Sequence, residues 1–287
     1  MPRAAITMLK KRIITAVLLL ALVGWALFYW PPLGWFALAT VMAALAAWEW
    51  GAFLAFAKPA RILLGVLAAL LSFALAWFFP QALGLSECSS VSPIDAMWLF
   101  GRWFYLPAAI FWLLIVPLWM KFRWALRSPL LGILVGFVVI FPTWLAFIQL
   151  RLFSAAHFLT LLAAIWLADT AAYASGRLFG KHKLAPSISP GKTWEGALGG
   201  AVAVLIYGFC LTRFPAIFFS LFWGFVLLLF VALSILGDLF ESLLKRQAGL
   251  KDSSQILPGH GGILDRIDSL TSTLPLVTLA WLLSWQG

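Results

Sequence analysis

The chain has 287 residues, 64% of them hydrophobic and only 10% charged, with a formal net charge of +10. Soluble domains carry roughly a quarter charged residues, so there is too little polar surface here to coat a globule in water, and most of the chain must have lipid as its solvent. The basic residues sit between apolar runs rather than in a patch interleaved with aromatics, so the positive balance is read as topological and nucleic acid is set aside as a partner.

In chain order, Lys10, Lys11 and Arg12 precede an apolar run that continues to about Trp30. That run is too long for the hydrophobic region of a signal peptide and reads as an uncleaved first span. A transmembrane helix needs about 20 apolar residues, and nine runs qualify: 13–30, 33–57, 62–79, 103–120, 129–150, 155–175, 194–212, 215–237 and 268–285. The expected fold is therefore an all-α polytopic membrane protein. Residues 1–154 carry the first five spans and residues 155–287 the last four with their polar loops, as one integral unit.

Loop charge orients it. Of the 20 Lys and Arg residues, 17 fall on one set of loops, and the other set holds only Arg102, Arg151 and Arg213. The rule that positive loops stay inside puts the N-terminus in the cytoplasm and the C-terminus outside, in the periplasm. The 17 Trp suit the membrane–water interface. Cys88 lies in a polar loop and Cys210 late in an apolar run, so no disulfide is expected. Outside, only 80–102 is long, with no role assigned; inside, 176–193 and 238–267 are long and polar, and chemistry is sought there.

Seven of the ten acidic residues lie between 169 and 268. A carboxylate at membrane depth normally faces a polar cavity and has a partner. Asp169 falls in the inner half of the sixth span and Asp238 at the inner end of the eighth. Asp238, Glu241, Ser242 and Lys245 are spaced i, i+3, i+4 and i+7, so they share one helix face, and Asp265 and Asp268 are one turn apart. Clustered carboxylates and hydroxyls are ligands for hard cations such as Mg²⁺. Gly259, Gly261 and Gly262 would let the backbone approach a phosphate, and Lys192, Lys245, Arg246 and Lys251 would neutralise it. Blander readings stand beside these. Lys245 and Arg246 also suit a membrane-face anchor, Asp252 a partner for Lys251, and His260 a loop hydrogen-bonder. Glu49 suits either a buried base as partner or the same cavity.

The stretch 242-SLLKRQAGLKDSSQILPGHGGILDRID-268 resembles the signature of the phosphatidate cytidylyltransferases, and 169-DTAAYASGRLFGKHKLAPSISPGKTWEG-196 is similar to that family's other hallmark. Together they cover about a third of the chain; the first five spans match in hydropathy alone. The resemblance implies the reaction of CTP with phosphatidate to give CDP-diacylglycerol and pyrophosphate, in a bacterial inner membrane. It also implies a homodimer and a metal-dependent site open to the cytoplasm. By resemblance, Asp238, Asp265 and Asp268, helped by Ser242, are ligands for Mg²⁺, with a second cation such as K⁺ in a two-cation arrangement. Ser189 and Lys192 would contact CTP or lipid phosphate, Lys251 and the 259–262 loop with His260 would hold pyrophosphate, and Arg246 and Arg266 would reach either substrate. Asp169 and Tyr173 would line the cavity. Two rivals stand. A CTP-dependent lipid kinase would release CDP instead, and a cation-coupled transporter would use Asp169 and Asp238 as ion ligands.

Overall fold

A computed structural model describes residues 18, 20–86, 92–211, 221–257, 259 and 261–285, without the side chains of 221–224. His260, Cys88, Glu87, Arg213 and the Lys10–Arg12 cluster lie outside the described residues. Among those described, nine helices follow one another. They are α1 (Leu20–Tyr29), α2 (Pro32–Phe53), α3 (Lys58–Phe78), α4 (Pro93–Phe122), α5 (Pro129–Phe153), α6 (Ala155–Phe179), α7 (Trp194–Leu211), α8 (Leu221–Gln247) and α9 (Leu264–Ser284). Eight of them, α2 through α9, are long and apolar enough to cross a bilayer. The described part of the first expected span, 13–30, is the shorter α1.

Two helix ends differ from the hydropathy reading. The eighth helix runs on to Gln247 and the ninth begins at Leu264, so the connection within the polar stretch 238–267 is confined to residues 248–263. The cause is the two-faced pattern after Asp238: Leu239, Phe240, Leu243 and Leu244 are buried while the polar residues take the other face, so apolar packing carries the helix onward. Likewise α4 starts at Pro93, where Ser92 caps it by accepting from the Asp95 N–H (3.1 Å), so part of the 80–102 segment is helical. A single two-stranded hairpin, β1 (Lys183–Ala185) antiparallel to β2 (Ser189–Thr193), interrupts the all-helical pattern.

Helix α5 is the hub, buried along its whole second half from Val139 to Leu150, and α2, α4, α6 and α9 pack on it. Trp35 of α2 stacks on Phe147 of α5 (centroids 4.7 Å) and donates its indole N–H to the Phe147 carbonyl (3.0 Å), satisfying the one polar atom of a fully buried ring. By contrast α3 and α7 turn most of their apolar surface outward, as in Leu63, Leu70 and Trp77 or Leu198, Val202 and Phe209. Apolar area on that scale is tolerable facing lipid and not water.

Contacts between helix ends sort them onto two sides. Arg151, near the end of α5, donates to the carbonyls of Leu27 and Trp30 at the end of α1, and Phe153 packs on Trp281 and Trp285 at the end of α9. On the opposite side Gln247, the last residue of α8, donates to the Trp124 carbonyl after α4 (2.9 Å). Trp124 precedes α5 and Arg151 stands near its end, so the two groups of contacts lie at opposite ends of that helix.

Helices α6 and α7 approach through small residues. A Cβ on Gly200 would meet the Ala168 carbonyl at 2.9 Å, and one on Gly196 the Ala172 carbonyl at 2.8 Å. Gly200→Val is accordingly expected to push the pair apart and destabilise by about 1–3 kcal/mol. The measurement is apparent Tm in detergent, and an unshifted Tm would show that the close approach is dispensable.

Candidate active site

Between α6, the β hairpin, α7, α8 and α9 lies a cavity of about 510 Å³, in the range of small-molecule sites. Its wall collects both polar blocks of the sequence. Asp169, Tyr173 and Arg177 come from α6, Ser189, Lys192 and Thr193 from β2, Gly196 from the start of α7, Asp238 from α8, and Asp265, Arg266, Asp268 and Ser269 from α9. Four carboxylates and three bases thus face one space.

Local sequence explains each placement. On α6, Asp169, Tyr173, Gly176 and Arg177 are spaced i, i+4, i+7 and i+8, one stripe of a helix. Arg177 donates to the Tyr173 hydroxyl at 3.3 Å. In 189-SPGKTWEG-196, β2 ends at Thr193, whose hydroxyl accepts from the Gly196 N–H (3.1 Å) and caps α7. Glu195 accepts from the His182 backbone N–H (3.2 Å), lies 2.7 Å from its Nδ1, and ties the hairpin to that helix. Lys192 is thereby held on the cavity wall, its Nζ 2.6 Å from Asp238.

The rotation of α8 is set from behind. Phe240 meets Phe111, Trp112 and Trp119 of α4 edge-on, each at 5.6 Å between centroids. These three rings come from a segment of α4 where Phe111–Ile115 forms a π-helical turn. With Phe240 locked there, Asp238, Glu241, Ser242 and Lys245 must turn toward β2 and α9. Ser242 donates to Asp238 (3.2 Å). Lys245 pairs with Asp265 at 2.5 Å and lies 3.5 Å from Glu241, a carboxylate the sequence reading placed on this face without a role.

Asp265 is heavily committed. Besides Lys245 on Oδ1, its Oδ2 accepts from the N–H groups of Ser253 (2.9 Å) and Gly262 (2.8 Å), with the Ser253 hydroxyl also 2.9 Å away. A carboxylate offers about four lone-pair sites, so Asp265 is the frame of the 253–262 segment. Asp238 and Asp268 are the acids with less of their capacity taken.

The expected site residues therefore divide. The cavity brings together Asp169, Tyr173, Ser189, Lys192, Asp238, Asp265, Arg266 and Asp268. It does not bring Lys245, which is part-buried against Asp265, Arg246, which is exposed, or Ser242, which touches it only through Asp238. Lys251 lies on a second cavity of about 400 Å³ with Arg61 and Trp48. Gly259, Gly261 and Gly262 are likewise absent from the wall. Gly259 and Gly261 have φ of +77° and +85°, which glycine adopts without strain, and they form a tight turn closed by Leu257 N–H to the Gly261 carbonyl (2.9 Å). The Gly262 N–H serves Asp265 and is not free for a phosphate.

Arg177 had no site role in the sequence, although it was legible in principle, one turn beyond Tyr173 on the Asp169 stripe. Glu49 fits neither of its two expected places. Among the described residues it pairs with no base, and it is not on the cavity wall: buried in α2 with 0% exposure, it accepts from Ser253 Oγ, Ser254 Oγ and the N–H groups of Ile263 and Leu264.

The donor set suits a hard cation in one respect and not another. Carboxylate oxygens are the ligands Mg²⁺ prefers, and Asp169, Asp238 and Asp268 offer them on one wall. Among the described residues, however, no three acidic, His or Cys side chains converge closely enough to hold an ion by themselves. Mg²⁺ is commonly held by one or two carboxylates plus substrate phosphates and water, and the wall fits that open mode rather than a closed protein cage.

Residues 10–283 match the model of the cytidylyltransferase family. The chain is similar to a phosphatidate cytidylyltransferase of Haemophilus influenzae, 38% identical over 282 residues that cover 93% of this chain and 96% of that one. It is similar also to one of Pseudomonas aeruginosa, 36% identical over 97% of this chain and 99% of the relative. A phosphatidate cytidylyltransferase of Staphylococcus haemolyticus is 52% identical over 118 residues, 40% of this chain.

Proposed function

This chain belongs to the cytidylyltransferase family, and on that premise we propose that it transfers the cytidylyl group of CTP to phosphatidate, forming CDP-diacylglycerol and releasing pyrophosphate. The observation that carries the reading is the single cavity in which acids for a cation and bases for phosphates share a wall at the end of membrane-crossing helices.

A phosphate monoester has its second pKa near 6, so the lipid phosphate is mostly a dianion at neutral pH and needs no strong base to act as nucleophile. One of its oxygens attacks the α-phosphorus of CTP, a new P–O bond forms, and the bond to the bridging oxygen breaks to free pyrophosphate. The obstacle is the approach of one anion to another. Lys192, Arg177 and Arg266 would lower it by neutralising phosphate charge, and positioning does the rest. Lys192 sits against Asp238 at 2.6 Å and can exchange that partner for a phosphate oxygen of similar charge. A divalent cation such as Mg²⁺, held by Asp238 and Asp268 with phosphate oxygens completing its shell, would supply further neutralisation and alignment. A second cation such as K⁺ would share these acids, and Asp169 is the remaining carboxylate on the wall.

The setting proposed is the bacterial inner membrane, with the cavity open to the cytoplasm where CTP is found. The support is the loop charge count, together with Arg177, Lys192 and Arg266 of the positively charged loop set on the cavity wall. A homodimer is proposed from the family alone.

The test is an assay of the purified protein with labelled CTP, phosphatidate and Mg²⁺. The expected products are CDP-diacylglycerol and pyrophosphate in equal amounts, with turnover abolished by EDTA and restored by Mg²⁺. Release of CDP together with a phosphorylated lipid alcohol would point to a lipid kinase, and turnover untouched by EDTA would remove the cation from the proposal.

A further inference from the structure

We infer that Glu49 is a positioning residue for the active site, whose carboxylate clamps the 253–264 segment from outside the cavity and so fixes where Asp265, Arg266 and Asp268 stand. The inference rests on the proposed cytidylyltransferase reading for its activity readout alone.

Glu49 belongs to α2, more than 200 residues earlier in the sequence than the segment it holds. Its side chain has no exposure to solvent. Among the described residues no Lys, Arg or His forms an ion pair with it. A buried carboxylate without a countercharge is costly unless donors surround it, and four do. Oε1 accepts from Ser254 Oγ (2.6 Å) and Ile263 N–H (2.9 Å), and Oε2 from Ser253 Oγ (2.9 Å) and Leu264 N–H (2.7 Å). Two of the donors are backbone N–H groups at the start of α9, which have no partner within the helix and favour an anion.

The clamp reaches the catalytic wall through one residue. Ser253 gives its backbone N–H to Asp265, and its hydroxyl lies 2.9 Å from both Glu49 and Asp265. A hydroxyl has a single proton, and with the N–H already serving Asp265 that proton is available to Glu49. Gly262 completes the fit: a Cβ there would run into Ser253 Oγ and would lie 2.5 Å from Glu49 Oε1. The glycine admits a carboxylate of the protein itself.

The discriminating variant is Glu49→Gln, which keeps the volume and replaces one acceptor oxygen by a donor amide facing two donors. We expect kcat to fall about 10–100-fold, as for supporting residues behind a catalytic site, with KM for phosphatidate within about two-fold of wild type. Amide hydrogen exchange should rise across 253–264 and stay unchanged in α5. Ser254→Ala, which removes only one donor of four, should lower kcat about three-fold and loosen the same amides. Full kcat in Glu49→Gln, or a loss that tracks only the folded fraction with exchange at 253–264 unchanged, would overturn the inference. Should Glu49→Gln not fold, Ser254→Ala with wild-type exchange and kcat would do so. If the wild-type protein makes no CDP-diacylglycerol, the proposed function fails separately, and the exchange comparison still decides whether Glu49 clamps the segment.

Discussion

Asp265→Asn should lose both stability and turnover. Lys245 and Asp265 are 13% and 6% exposed and 2.5 Å apart, and removing one charge of a buried pair strands the other at a cost of about 3–5 kcal/mol. Asn also replaces an acceptor oxygen with a donor where Ser253 and Gly262 already donate, so at least one loop N–H loses its partner. For a chain of this size the apparent Tm in detergent should drop by roughly 10 °C, and turnover by more than about 100-fold as the segment bearing Arg266 and Asp268 shifts. The pair has a diagnostic signature: adding Lys245→Met to Asp265→Asn should cost less than the sum of the single changes, because the stranded charge is gone. Wild-type Tm and turnover in Asp265→Asn would deny Asp265 any organising role.

Lys192→Met should have the larger effect on chemistry with a smaller one on folding. Lys192 is on β2 at the cavity wall, and its Nζ is the base closest to Asp238. Its side chain is about one quarter exposed, so losing the ion pair itself should matter little to stability. Two phosphate-bearing substrates then have one cation fewer to offset their repulsion. Loss of a single stabilising group in a water-poor site lowers kcat by roughly 10²–10³-fold. Lys192→Arg should recover only part of this, since a planar fork does not replace a compact ammonium at a fixed distance. The measurement is kcat and KM for CTP in the assay above. Activity within two-fold of wild type in Lys192→Met would mean the phosphates bind elsewhere.

Much of the fold was legible because a bilayer imposes a simple length rule. Apolar runs near 20 residues marked all eight long helices, and the i, i+3, i+4, i+7 spacing after Asp238 already described the polar face of α8. Where α8 ends was not legible from hydropathy, because that face is polar for reasons of the site while burial of Leu239, Phe240, Leu243 and Leu244 sustains the helix. The hairpin at 183–193 was also invisible: three and five residues are too short for periodicity to register. The motifs led to residues that line one cavity, but not to what each one touches. Gly262 and Lys251 both belong to the signature, yet one packs against Glu49 and the other lines a separate cavity.

By itself, then, the sequence determined the apolar helical class, the positions of the eight long helices and the family, since these depend on composition, periodicity and motif order along the chain. The tertiary structure alone decided which acids are open and which are spent. Asp265, Asp268 and Asp238 look alike in sequence, but Asp265 is filled by Lys245 and two loop N–H groups contributed from elsewhere in the chain. It also assigned Glu49, whose four donors lie more than 200 residues away. Hydrogen-bond capacity is a local physical property, but which donors fill it depends on segments brought together only when the chain folds.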